Sequence, residues 1–139
     1  MKYLVDTHCL IWSLLDPDKL HPSHRKVLLD TASPKFVSKI TYWEIALKYS
    51  LGKLSLEGIT PEKLLQASGD AGYETLDIEE DDLVTSYQLV ASRTHKDPFD
   101  RLLIWQCIRN SLTMITADKR IHDYTRHGLK VVEPQQTAF

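Results

Sequence analysis

Five carboxylates stand where they could act together. Asp6 closes the apolar stretch "KYLV" (2–5), and Asp118 follows "LTMIT" (112–116) after one small residue. Both end what read as buried strands, where an acid is desolvated unless something compensates it. Glu44 lies in the first turn of "TYWEIALK", and Asp97 and Asp100 bracket the first turn of "DPFDRLLIW". Each also has a conformational reading. Thr41 and Glu44 match a capping box. Asp97 before Pro98 matches a helix cap with proline at the first helical position. Asp100 falls where the helix dipole favours an acid, and Asp6 and Asp118 could cap the helices that follow them. Brought to one edge, however, such acids repel one another and need a cation. Mg²⁺ or Mn²⁺ takes carboxylate oxygens and keeps waters that a hydrolytic reaction can use. The six histidines are scattered and the two cysteines fit no metal spacing, so zinc is not the expectation.

The elements must deliver these acids to one place. Apolar runs predict strands at 2–5, 35–40, 73–78, 112–116 and 129–133. Helical spacing predicts helices at 7–15, 22–32, 41–54 with Gly52 as its C-terminal cap, and 60–72 with Thr60 as cap before Pro61. Further helices are predicted at 79–94, 97–110 and 118–128. Strand and helix alternate almost throughout, which predicts a parallel, helix-covered α/β sheet. In such sheets ligands bind beyond the carboxyl ends of the strands, the rim that Asp6 and Asp118 share. The strand order is not readable from this pattern.

Composition sets bounds on function. The 139 residues, 42% of them hydrophobic, suit a single domain over 1–139. A net charge of −2 argues against coating nucleic acid by charge alone. It does not exclude a nuclease: setting four of the 19 acids aside as metal ligands leaves 15 against 17 bases. No apolar stretch approaches the ~20 residues of a membrane span. The opening "MKYLVDTHCLIW" is broken by Asp6 and has no small-residue cleavage site, so a soluble, cytoplasmic protein is expected. Cys9 and Cys107 sit in apolar runs and read as buried free thiols. The acidic run "DIEEDD" (77–82) reads as a solvated helix start, and Trp12, Trp43 and Trp105 as core or dimer-interface packing. Arg101 and Lys119, each beside one of the acids, are candidate phosphate contacts.

The chain resembles the PIN domain nucleases, and within them the VapC-type toxins of toxin–antitoxin pairs. "YLVDTHCLIW", "VSKITYWEIALKYSLGKL", "HKDPFDRLLIWQ" and "MITADKRI" are similar to four successive blocks of that family, in order. The D-P-F-D-R stretch is the most specific of them. The resemblance implies a three-layer α/β/α fold with a central parallel sheet. It implies a Mg²⁺- or Mn²⁺-dependent endoribonuclease whose metal and catalytic acids are Asp6, Glu44, Asp100 and Asp118. Asp97 is an additional acid whose role the pattern leaves open, and Thr116 matches a hydroxyl that can orient a carboxylate or a water. A small cognate antitoxin and a homodimer are implied as partners. The RNA target (tRNA, rRNA or mRNA) and the number of metal ions are not specified. Two alternatives stay open: a DNA nuclease of the same fold, and a non-catalytic RNA- or protein-binding module whose acids are only caps.

Overall fold

A computed structural model describes residues 1–133. Its five strands are β1 (Tyr3–Val5), β2 (Lys35–Ser38), β3 (Glu74–Leu76), β4 (Thr113–Ile115) and β5 (Lys130–Val131). They form one sheet in the order β3-β2-β1-β4-β5, and every pairing is parallel. The helices are α1 (Thr7–Leu15), α2 (Pro22–Leu29), α3 (Lys39–Ser50), α4 (Pro61–Asp70), α5 (Glu80–Thr85), α6 (Pro98–Asn110) and α7 (Lys119–His122).

The alternation of side chains along each strand makes the layers. Leu4 and Met114 point into one apolar cluster with Leu102, Leu103 and Cys107 of α6. Val5, Val37 and Ile115 point into a second, with Cys9 and Leu10 of α1 and Leu64 of α4. Helices therefore cover both faces, as the α/β/α expectation requires. Both cysteines are free and buried, and burial pushes both thiols up.

The order of strand addition reverses about β1: β2 and β3 lie to one side of it, β4 and β5 to the other. This is the switch point at which an open parallel sheet leaves a crevice beyond its strand ends. The Asp6 amide still bonds the Ile115 carbonyl at 3.0 Å, so the ends of β1 and β4 are held side by side where the two strand-end aspartates emerge.

Several predicted boundaries are corrected, and the helices expected over 22–32 and 41–54 end at Leu29 and Ser50. The predicted strand 35–40 ends at Ser38, and α3 begins at once, at Lys39 instead of Thr41. Ser38 is the cap, accepting from the Ile40 amide, because the strand runs into the helix with no loop between them. Thr41 lies inside the helix, its hydroxyl buried without a partner, and the Thr41–Glu44 capping box does not form. The helix expected over 79–94 stops at Thr85, passes through a 3-10 turn at Ser86–Gln88 and continues as irregular chain. In its first turn Asp82 is buried and paired with Arg109 at 3.0 Å, so that acid is not part of a solvated helix start. The helix predicted over 118–128 is one turn, α7, followed by a 3-10 segment at Asp123–His127 that ends at Gly128, where φ is +99°.

Candidate metal centre

The carboxyl rim assembles from four segments. Asp6 leaves β1 and caps α1, one oxygen accepting from the Cys9 amide at 2.8 Å. Its other oxygen accepts from the Thr116 hydroxyl at 2.5 Å. That hydroxyl in turn accepts the Asp118 amide at 3.1 Å. Thr116 thus ties the two strand-end aspartates together across the sheet. Burial pushes Asp6 above the usual carboxylate range, against the lowering effect of these hydrogen bonds.

Glu44, 2% exposed, reaches the rim from α3. One oxygen accepts from the Thr7 hydroxyl at 2.5 Å, and the other is salt-bridged to Lys48 one turn further on. The Lys48 ammonium also lies 3.9 Å from Asp97. Burial would lower the Lys48 pKa, but the Glu44 hydrogen bond and charge, with Asp97 and Asp100 beyond, leave it raised.

The segment "HKDPFDR" supplies the third wall. Asp97 caps α6 with one oxygen, accepting from the Phe99 and Asp100 amides at 2.9 and 3.0 Å. Asp100 sits one helical turn further and accepts from His95 Nε2 at 3.1 Å. Burial pushes Asp100 upward; the His95 hydrogen bond opposes this, and the neighbouring charges of Asp97 and Glu44 add to it. Asp118 caps α7 and is gripped by Arg120 through Nε at 3.2 Å and Nη2 at 2.9 Å. Burial pulls the Asp118 pKa up, but the Arg120 side chain and amide outweigh it and hold the carboxyl below its usual range.

Two groups of side chains offer ligand atoms within 4.8 Å of one another: Glu44, Asp97 and Asp100, and His95, Asp100 and Asp118. Asp100 belongs to both. Asp6 lies outside them and joins through Thr116. The set fits a hard divalent cation, because its free atoms are mostly carboxylate oxygens and, among the described residues, the lysine and arginine side chains paired with the five acids are Lys48 and Arg120.

Sequence reasoning missed four of the side chains that shape this rim. Lys48 lies four residues after Glu44 on one helix face, a spacing that could have revealed it. Thr7, beside Asp6, and Arg120, two residues after Asp118, were legible only as neighbours. His95 carried no periodic signal. Arg101, expected as a phosphate contact, points elsewhere: its guanidinium donates to the Leu89 and Val90 carbonyls and to the Tyr124 hydroxyl. Lys119 is exposed and makes no hydrogen bond or ion pair among the described residues. Of the tryptophans, Trp12 and Trp105 pack partly buried against the two clusters, while Trp43 is 61% exposed and stacks edge-on against Phe99.

An open parallel sheet with an acidic carboxyl rim at its switch point defines an α/β protein suited to holding a cation. The chain belongs to the PIN domain family, whose family model matches residues 3–127. PIN domains are nucleases, and they generally use divalent metals. Among solved structures, the chain is similar to VapBC from Salmonella typhimurium bound to DNA, with a TM-score of 0.66 and 19% identity over 94% of this chain and 96% of that one. It is also similar to a toxin–antitoxin complex from Klebsiella pneumoniae, with a TM-score of 0.61 and 20% identity over 98% of this chain and 100% of that one. VapBC2 from Rickettsia felis, bound to a fragment of its promoter, gives a TM-score of 0.62 and 16% identity over 94% and 97%. A comparison with curated protein sequences gives no match. No helix among the described residues is long and apolar enough to cross a membrane.

Proposed function

We propose that this chain is a Mg²⁺- or Mn²⁺-dependent endoribonuclease, the VapC-type toxin of a type II toxin–antitoxin pair, acting as a single domain over 1–139. The observation that carries this reading is the convergence of Glu44, Asp97, Asp100 and Asp118 at the switch-point rim of a PIN fold, with Asp6 tied in through Thr116. The toxin–antitoxin complexes among its structural relatives, matched over nearly their whole length, support the biological role.

Asp6, Glu44, Asp100 and Asp118 are the residues that would hold the metal, with the second Asp97 oxygen beside them. A Mg²⁺ or Mn²⁺ ion held there would supply a more acidic water as nucleophile for phosphodiester hydrolysis and would offset charge on the phosphoryl oxygens. The chain's own groups prepare the site. Thr116 orients Asp6, Thr7 and Lys48 orient Glu44, and His95 orients Asp100. Lys119, exposed at the start of α7, and Arg120, paired with Asp118, are the proposed contacts to substrate phosphate. An antitoxin and a second copy of the chain are the proposed protein partners. In support, Trp43 and Leu47 of α3 and Leu51, which caps its C-terminus, are exposed apolar side chains at four-residue spacing. The cytoplasm is the corresponding location.

One observation favours a non-catalytic reading. Asp6, Asp97 and Asp118 each cap a helix, so each has a structural reason to be present. Cleavage decides between the readings. Purified protein freed of antitoxin should cut single-stranded or tRNA-like RNA with Mg²⁺ or Mn²⁺, stop in EDTA, and leave 5′-phosphate and 3′-hydroxyl ends. Persistence in EDTA, or 2′,3′-cyclic phosphate ends, would contradict the metal–water chemistry. Cleavage of DNA alone would assign a DNA nuclease, and no cleavage of either would favour the non-catalytic module.

A further inference from the structure

His95 is 1% exposed and lies between two partners. Its Nε2 faces Asp100 Oδ2 at 3.1 Å, and its Nδ1 faces the Tyr124 hydroxyl at 3.3 Å. Tyr124 is buried as well, and Arg101 Nη1 lies 3.0 Å from the same hydroxyl. The direction of each bond follows from the donor inventory. A guanidinium only donates, so the Tyr124 oxygen accepts from Arg101. The tyrosine proton is then left for His95 Nδ1, the one acceptor within reach among the described residues, and a buried donor without a partner is costly. With Nδ1 accepting, the imidazole carries its proton on Nε2 and donates to Asp100.

We propose that Arg101, Tyr124 and His95 form a directed relay that positions Asp100 Oδ2 and leaves Oδ1, which has no hydrogen-bond partner among the described residues, to face a cation. The relay is anchored at its far end, where Arg101 also holds the Leu89 and Val90 carbonyls at 3.1 and 3.0 Å. It crosses from α6 to the segment after α7 and returns to the residues before α6, so it fixes three stretches of chain against one another. Most of the "HKDPFDR" segment thereby acquires separate roles. His95 aims Asp100, Asp97 caps α6, and Arg101 anchors the aim. All three relay members are positioning residues, and the proposal rests on the metal-centre reading above.

The test combines nitrogen NMR of the histidine rings with Mn²⁺ binding followed by electron paramagnetic resonance, on the full chain. His95 in the unsubstituted protein should show a protonated Nε2 and a bare, hydrogen-bonded Nδ1. Tyr124→Phe should move the Nδ1 resonance and weaken Mn²⁺ binding severalfold while the fold is retained. His95→Leu should weaken Mn²⁺ binding by about 10- to 100-fold, the usual consequence of removing a hydrogen-bond partner behind a ligand. His95→Gln, whose amide can still donate to Asp100, should recover most of that loss. A proton on Nδ1, or Mn²⁺ binding unchanged in Tyr124→Phe and His95→Leu, would overturn the relay while leaving the metal centre in place. Unsubstituted protein that binds no Mn²⁺ would overturn the metal-centre reading, and the relay's purpose with it.

Discussion

Asp6 and Asp118 hold equivalent places and are treated in opposite ways. Each follows a buried strand of the same sheet, each caps the next helix, and one threonine hydroxyl touches both. Asp6 is buried, and its hydrogen-bond donors among the described residues are the uncharged Cys9 amide and Thr116 hydroxyl, so burial pushes its carboxyl up. Asp118 stands at the outer lip, where Arg120 overcomes burial and pulls its carboxyl down. Strand-end position brings an acid to the rim; its surroundings decide how hard it is to ionise. An incoming cation would therefore favour ionisation of the inner acid and compete with a protein cation for the outer one.

The largest expected effect falls on catalysis. If the inner wall is the heart of the site, Asp6→Asn and Asp100→Asn should each lower RNA cleavage by about 100-fold or more, since several kcal/mol of transition-state stabilisation depends on the held metal. Expression of the unsubstituted protein should arrest growth, and either variant at equal abundance should not. Initial rates on one RNA substrate would check this, and equal activity in the variants would remove these acids from the site.

Lys48 comes next. It is the internal counter-ion of the buried Glu44, so Lys48→Met should destabilise metal-free protein by roughly 1–3 kcal/mol, the cost of leaving a buried polar group unsatisfied. The same change should enlarge the stabilisation given by Mn²⁺, because a competing cation is gone. Urea melts with EDTA and with Mn²⁺ measure both.

The two aspartates of "DPFD" should split by role. Asparagine caps about as well as aspartate, so Asp97→Asn should change stability little, while Asp97→Ala should cost about 1 kcal/mol.

The smallest effect bears most directly on the opening contrast. In metal-free protein near neutral pH, Asp118→Asn should cost roughly 0.2–1 kcal/mol, the range of exposed ion pairs. Asp6→Asn should cost nothing or stabilise. The pH dependence follows the same signs. A lowered pKa means that Asp118 contributes stability above its ordinary value of 3.8 and loses it as pH falls through its folded value. Raised pKa values mean that Asp6 and Asp100 contribute most below 3.8, a contribution lost as pH rises through their folded values. Metal-free protein should thus lose stability through these two groups as pH rises above about 4, and Mn²⁺ should restore it.

Much of this was legible in the sequence. Alternating apolar runs gave the parallel sheet, and the residues after β1 and β4 gave the rim. The Asp97–Pro98 pair gave the start of α6, because caps are local chemistry. What was not legible depends on contacts distant in sequence. Thr41 looked like a cap because it fits the local rule, yet Ser38 lies three residues earlier, where β2 ends, and also donates to Gln106 at 2.6 Å. The helix expected through Thr94 gives way where Arg101 takes the Leu89 and Val90 carbonyls. His95 gains its meaning from Tyr124, 29 residues away.

Thermal melting of unsubstituted protein, Asp6→Asn and Asp100→Asn, each in EDTA and in Mn²⁺, tests most directly whether these acids form one cation site. The predicted result is a clear Mn²⁺-induced rise in melting temperature for the unsubstituted protein and a much smaller one for either variant. In EDTA, Asp100→Asn should be as stable as the unsubstituted protein or more so, because removing one like charge relieves repulsion with Asp97 and Glu44. An Asp100→Asn protein that is less stable in EDTA and responds to Mn²⁺ undiminished would show that Asp100 serves the helix, and would contradict the site.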